Sequence, residues 1–296
     1  MPTSPMMLGM HGAREGFTAG QTPIHYWQLG DRGPKVLLLM GFGMRGSLWR
    51  PQIEGLKNGH QLAWLDNRGI GKSGPCPTRT WTMADMARDS LDVADALGWE
   101  RFHLVGVSMG GMVSQEVALL SPARILSLSL LATHEGGNPL RWAPRAKGLR
   151  CFLEAQTRRD GERVAALRKL LYPEAYVAQC DMSALEARMT AQVGTPAPRE
   201  ALLGQLSAVI RHKTGPRLHR LRMPTLIVKP TLDILIPPSN SDRLRRRIPH
   251  ATFIELDDAG HGAIFQRADT INDALRTHFQ DAAVSDMATR GSNVHA

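Results

Sequence analysis

The sequence predicts an α/β fold, a mostly parallel, doubly wound sheet with a helical cap insertion. Three observations carry this. Short apolar runs alternate with helical periods along most of the chain, and strands that alternate with helices pair in parallel, with helices on both faces. The run Val36-Leu37-Leu38-Leu39-Met40 is apolar throughout, as a strand covered on both faces requires. From Gly136 to Arg222 there are helical periods and no convincing strand, after which the strand–helix pattern resumes.

Taken in order, Met1 to Thr18 is rich in Gly, Met and polar residues and reads as loose. Ile24–Leu29 is a strand, and Gly30-Asp31-Arg32-Gly33-Pro34 is a turn into the strand Lys35–Met40. The loop Gly41-Phe42-Gly43-Met44-Arg45-Gly46 leads to a helix from Ser47 to Leu56, and the strand Gln61–Leu65 ends at Asp66. Thr82 and Asp85 form a capping box for a helix from Met83 to Leu97. The strand Arg101–Val105 runs into Gly106-Val107-Ser108-Met109-Gly110-Gly111, followed by a helix that Ser121-Pro122 stops. Ile125–Leu131, Thr225–Lys229 and Thr252–Leu256 are further strands, with a helix near Asn240–Arg247 and a last one from Ala263 to Phe279. Residues 20–133 and 223–281 then make the sheet core and 134–222 the cap insertion, with 1–19 and 282–296 as loose tails.

Composition narrows the class. A chain of 296 residues with 43% apolar content supports an ordinary soluble core. No apolar run reaches the length of a membrane span, and Met1–Gly20 has no signal-peptide core, so the expectation is a cytoplasmic protein. Cys76, Cys151 and Cys180 lie far apart, which fits reduced thiols and neither a disulfide framework nor a zinc site. The net charge of +9 raises nucleic acid as a partner. However, 15 of the Lys and Arg, against 8 Asp and Glu, fall between His134 and Arg220, at helical spacings and with no aromatic interleaving. That is a solvated helical face, so nucleic acid is not expected, while attraction to anionic substrates stays open.

Chemistry concentrates in five places. Strand, Gly-x-Ser-x-Gly, helix is the context that holds a serine on a sharp turn with its hydroxyl exposed; the bland alternative for Ser108 is a helix N-cap. Gly41–Gly46 with Asp66, 20 residues after Gly46, matches the dinucleotide fingerprint after a strand. Against that reading, another strand precedes it and further reactive residues follow later strands. Gly69-Ile70-Gly71-Lys72-Ser73 resembles a phosphate loop, but Asp66 stands where its first glycine belongs. Asp233 follows the strand Thr225–Lys229 among Leu232, Ile234, Leu235 and Ile236, where a carboxylate needs a partner. His261, between Gly260 and Gly262, follows the strand Thr252–Leu256. Ser108, Asp233, His261 is the chain order of a nucleophile elbow and its partners, and strand C-terminal ends share the ligand-binding edge of a parallel sheet. Glu135, just after Ile125–Leu131, is the alternative acid.

On these pieces the chain resembles the α/β-hydrolase fold family, in its serine-nucleophile, esterase- and lactonase-like branch, over Thr22 to Phe279. The motifs that match are Gly41-Phe42-Gly43, Asp66–Ser73, Gly106–Gly111, Pro224–Val228 with Asp233, and Gly260-His261-Gly262. Met40 stands where many members have His, and Pro230 replaces a frequent glycine. The resemblance implies Ser108 as nucleophile, His261 as base and Asp233 as its orienting acid, with the amides of Phe42 and Met109 as the oxyanion hole. It implies neither cofactor nor metal. The expected reaction is hydrolysis of an ester, thioester or lactone of a small, largely apolar substrate, as in a carboxylesterase. Carbon–carbon bond hydrolysis and cofactor-free perhydrolysis use the same triad. An NAD-dependent oxidoreductase and a non-catalytic small-ligand receptor are the readings from other classes. Gly41, Gly43, Trp142, Leu235 and Phe265 are candidate substrate contacts. Phe152, Tyr172, Tyr176, Met182 and Met189 of the insertion, and Trp49, are apolar enough either to line a pocket or to pack a core. The sequence is silent on oligomeric state.

Overall fold

The structure, a computed structural model, describes residues 12–74, 80–193 and 196–292, with backbone alone for 288–292. Cys76 lies outside the described residues; Cys151 and Cys180 are free thiols. The strands are β1 (Arg14–Phe17), β2 (His25–Leu29), β3 (Lys35–Leu39), β4 (Gln61–Leu65), β5 (Phe102–Val107), β6 (Ile125–Leu131), β7 (Thr225–Pro230) and β8 (Thr252–Leu256). They form one sheet in the order β1-β2-β4-β3-β5-β6-β7-β8, antiparallel at β1–β2 and β2–β4 and parallel elsewhere.

The helices are α1 (Arg50–Leu56), α2 (Met83–Ala96), α3 (Met109–Leu120), α4 (Pro139–Trp142), α5 (Ala146–Thr157), α6 (Asp160–Leu171), α7 (Glu174–Val177), α8 (Met182–Val193), α9 (Arg199–Arg211), α10 (Ser239–Arg247), α11 (Ala263–Gln266) and α12 (Ala268–Ser292). The capping box of α2 is present, with Thr82 Oγ1 accepting from Asp85 N at 3.1 Å and Asp85 Oδ2 from Thr82 N at 2.9 Å. No helix among the described residues is long and apolar enough to cross a membrane.

Period-two alternation divides the sheet's side chains between two cores. Leu37 and Leu39 pack with α2 and α3, whereas Val36, Leu38 and Met40 pack with α1, α11 and α12. A third apolar cluster, including Cys151, Ala155, Leu167, Leu170 and Met189, belongs to α5, α6 and α8. Ala201 and Ala208 of α9 pack instead into the α2–α3 core. The helical stretch between β6 and β7 therefore has one part with its own core and one part bolted to the sheet layer.

Two described stretches within the expected loose tails carry regular structure. Arg14–Phe17 pairs with β2; its three exposed positions gave no alternating pattern to read. The last helix runs on to Ser292 because Ala282 is buried and Asp286 makes a two-bond ion pair with Arg101, at 2.7 Å each.

Candidate active site

β5 is buried along its whole length and is followed at once by Ser108, whose backbone sits at φ 56° and ψ −123°. A non-glycine residue in that region stores about 1–3 kcal/mol of strain, so the surroundings must hold it. They do: Ser108 N donates to Leu131 O at 2.9 Å and Thr133 Oγ1 donates to Ser108 O at 2.7 Å. A Cβ at Gly106 would run into Ser114 Oγ and the Gly110 carbonyl, and one at Gly110 would strike the carbonyl of Leu39. The glycines on either side of Ser108 are thus a requirement of close packing. Met109 N–H is the first of α3, at the positive end of the helix dipole and beyond reach of any helical carbonyl.

Asp233 follows β7 and is 5% exposed. Its Oδ1 accepts from Leu235 N and Ile236 N, both at 2.8 Å, which leaves Oδ2 for His261 Nδ1 at 2.7 Å. With Nδ1 bonded to the carboxylate, Nε2 is the imidazole's remaining reactive nitrogen. Ser108 and His261 line the same cavity. Among the described residues no hydrogen bond yet joins Ser108 Oγ to the ring, and such contacts often tighten only when substrate binds. Gly260 and Gly262 are small for a reason the sequence did not disclose. The end of α6 passes against them, with Gly262 N donating to Leu171 O at 2.8 Å, and a Cβ at Gly260 would lie 2.6 Å from that oxygen. Glu135, the alternative acid, is ion-paired with Arg247 at 3.1 Å.

The cavity and its open mouth together enclose about 780 Å³ of space free of protein atoms, solvent included. Its floor includes Met40, Gly41, Phe42, Ser108, His261 and Phe265; its roof includes Phe152, Leu167, Tyr172 and Met189. Phe42 and Phe152 meet across it with ring centroids 5.2 Å apart. Burial pushes the Tyr172 hydroxyl up to about 12, despite the opposing charge of Arg188, so it stays neutral and protonated. Gln156 and Gln192 are the polar roof residues besides that tyrosine, and among the described residues none that lines the cavity is Lys, Arg, Asp or Glu. Among the described residues, no group of three or more His, Cys, Asp or Glu could hold a metal ion.

Of the candidate substrate contacts, Gly41, Leu235 and Phe265 line the cavity, whereas Trp142 and Gly43 do not. Trp142 stacks on His134 at 4.7 Å and donates its Nε1 to Gly137 O at 3.1 Å, outside the cavity. Gly43, at φ +66°, turns its N–H away to Gln205. Tyr176, Met182 and Trp49 are packing residues as well, in the α5–α8 cluster and the sheet core.

The dinucleotide fingerprint also has another use here. Asp66 is buried, and its oxygens accept from Gly46 N at 2.9 Å and Lys72 N at 3.3 Å, so it braces the loop from within. Asn67 Nδ2 supports the same loop by donating to Met40 O at 3.0 Å. With these two braces the loop is held although the residue before Gly41 is a methionine, whose side chain makes no hydrogen bond to it.

Comparison with known proteins agrees with this architecture. Over 257 residues the chain is 32% identical to an Azorhizobium caulinodans protein named "putative carbamate hydrolase RutD", covering 84% of this chain and 92% of that one. A hydrolase from Pseudomonas aeruginosa PA01 superimposes with a TM-score of 0.75 at 25% identity, covering 90% of this chain and 98% of that one. The enol-lactonase from Burkholderia xenovorans LB400 gives 0.76 at 24%, over 90% and 100% of the two chains. Residues 34–268 match the family described as alpha/beta hydrolase fold, and with the sheet, the elbow and the cavity as described, the chain belongs to that family of hydrolases.

Proposed function

We propose that this hydrolase cleaves an ester, thioester or lactone bond of a small, largely apolar substrate through an acyl-enzyme on Ser108. The observation that carries the reading is the 2.7 Å bond between His261 and Asp233 at a ring that lines one apolar cavity with Ser108. His261 Nε2 takes the Ser108 proton as Oγ attacks the carbonyl carbon. Asp233 keeps Nδ1 protonated and stabilises the imidazolium. The N–H groups of Met109 and Phe42 receive the tetrahedral oxyanion, and removing one such donor costs about 3 kcal/mol of transition-state stabilisation. Collapse expels the alkoxide, thiolate or ring oxygen, which takes the proton from His261. Water, deprotonated by the same ring, then attacks the acyl carbon and frees Ser108.

The relatives' name brings carbamates into the range of substrates. An anionic carbamate would find no Lys or Arg among the described lining residues, so a neutral acyl group suits the cavity better. The test is a panel of nitrophenyl esters of increasing acyl length, with neutral carbamate esters and free carbamate beside them. Turnover should favour apolar acyl groups and vanish in Ser108→Ala. Turnover that survives unchanged in that variant would remove Ser108 from the mechanism.

A further inference from the structure

We infer that Gln205 is a positioning residue that holds the oxyanion loop in register from α9. This rests on the reading of Ser108 as the nucleophile.

Gln205 is 0% exposed and is the sole long polar side chain on the inward face of α9, which otherwise presents Ala201, Gly204 and Ala208. Those small residues let the helix approach closely: a Cβ at Gly204 would lie 2.5 Å from the Trp81 ring, and one at Gly69 would lie 2.8 Å from Ala201. α9 is therefore fixed against the sheet layer. From that fixed backbone Gln205 Oε1 accepts from Gly43 N at 2.7 Å, across 162 residues of sequence.

Gly41–Met44 is a tight turn, closed by Met44 N to Gly41 O at 3.3 Å, with its third residue, Gly43, at φ +66°. A left-handed third residue is what a type II turn requires. Glycine is also the residue at which the central peptide of such a turn flips at least cost. That peptide is made of the Phe42 carbonyl and the Gly43 N–H. The proposed oxyanion donor, the Phe42 N–H, belongs to the adjoining peptide and is held through the backbone angles of Phe42, which a flip would change. With Gln205 Oε1 in place, a flipped peptide would set the Phe42 carbonyl against another oxygen. Gln205 thus removes the freedom that the glycine supplies. Its own Nε2 is buried with no hydrogen-bond partner among the described residues, so the bond to this loop is the one that orients the amide.

The test compares Gln205→Met, close in shape and without the acceptor, with Gln205→Glu, which keeps an acceptor oxygen. The readouts are kcat and KM on an ester whose turnover Ser108→Ala abolishes, the rate of fluorophosphonate labelling, and the melting temperature. Misplacing a donor should lower kcat and the labelling rate of Gln205→Met by about tenfold, with KM within about twofold. Gln205→Glu should recover most of that loss, and Leu206→Ala, on the exposed face of the same helix, should match wild type. If Gln205→Met does not fold, Gln205→Asn, one methylene too short to reach Gly43, replaces it. Wild-type kcat in the folded variant, or a kcat loss that Gln205→Glu shares in full, overturns the inference. A wild-type protein that takes no fluorophosphonate and turns over no ester overturns the serine reading itself, and this inference with it.

Discussion

Replacing Asp233 with Asn changes the charge and the hydrogen-bond polarity of the site while leaving its shape almost unaltered. Oδ1 would still accept from the amides of Leu235 and Ile236, both 2.8 Å away, so the loop should keep its conformation. The other terminal atom becomes an NH2 group 2.7 Å from His261 Nδ1. Two donors cannot share that bond, so Nδ1 loses its proton and Nε2 gains it. The ring then presents a donor to Ser108 where a base is needed, and the imidazolium loses its counter-charge. A perturbation of this kind lowers kcat by about 10,000-fold, or about 5 kcal/mol of barrier. Stopped-flow or steady-state ester assays across pH, with Ser108→Ala as the floor, measure it. Thermal melts should show a small change beside the rate loss. An Asp233→Asn variant that keeps kcat within about tenfold of wild type would refute the reasoning and return attention to other acids, Glu135 first.

Three further outcomes rest on the packing and electrostatics. Burial pushes the His103 and His212 imidazoles down to about 3 and holds His134 well below its usual value. The unfolded chain binds protons at these sites below about pH 6.5 and the folded protein does not, so their contribution is intact above that pH. It is lost as the pH falls toward 3, at up to about 1.4 kcal/mol per pH unit for each ring. Urea melts at pH 7 and pH 5 check this, and equal midpoints would contradict it. Gly110→Ala drives a Cβ into the Leu39 carbonyl, so it should leave little folded protein in circular dichroism and size-exclusion chromatography, whereas a folded, active variant would show that the elbow is looser than described. Met189→Trp fills the cavity roof and should shift the ester preference to shorter acyl groups with Ser108 labelling intact; an unchanged chain-length profile would place the acyl group elsewhere.

The three residues proposed as a triad could be picked out of the chain because each follows a strand, and a parallel sheet brings all strand C-terminal ends to one edge. Ser108, Asp233 and His261 needed only that topology and their order. The cavity roof needed more. Phe152 and Trp142 are both aromatic residues on short helices between β6 and β7, and one reaches the cavity while the other stacks on His134. Helix orientation decides between them, and no local pattern encodes it. Gly41–Gly46 with Asp66 matches the dinucleotide pattern for a physical reason. A tight loop of close backbone approach needs the same glycines whatever it approaches, and a buried acid such as Asp66 can brace the loop as readily as it can hold a ribose. Gln205 carried a faint signal, since Ala201, Gly204 and Ala208 mark a face of α9 too small to face solvent by chance. What it touches lies 162 residues away and belongs to the tertiary fold.

Reaction with a fluorophosphonate, followed by peptide mapping of the adduct, tests the central claim most directly. The account predicts one adduct, on Ser108, formed at a rate that falls in parallel with ester turnover in Asp233→Asn and absent from Ser108→Ala. Modification of a different residue, or ester turnover that continues after Ser108 is blocked, would contradict it.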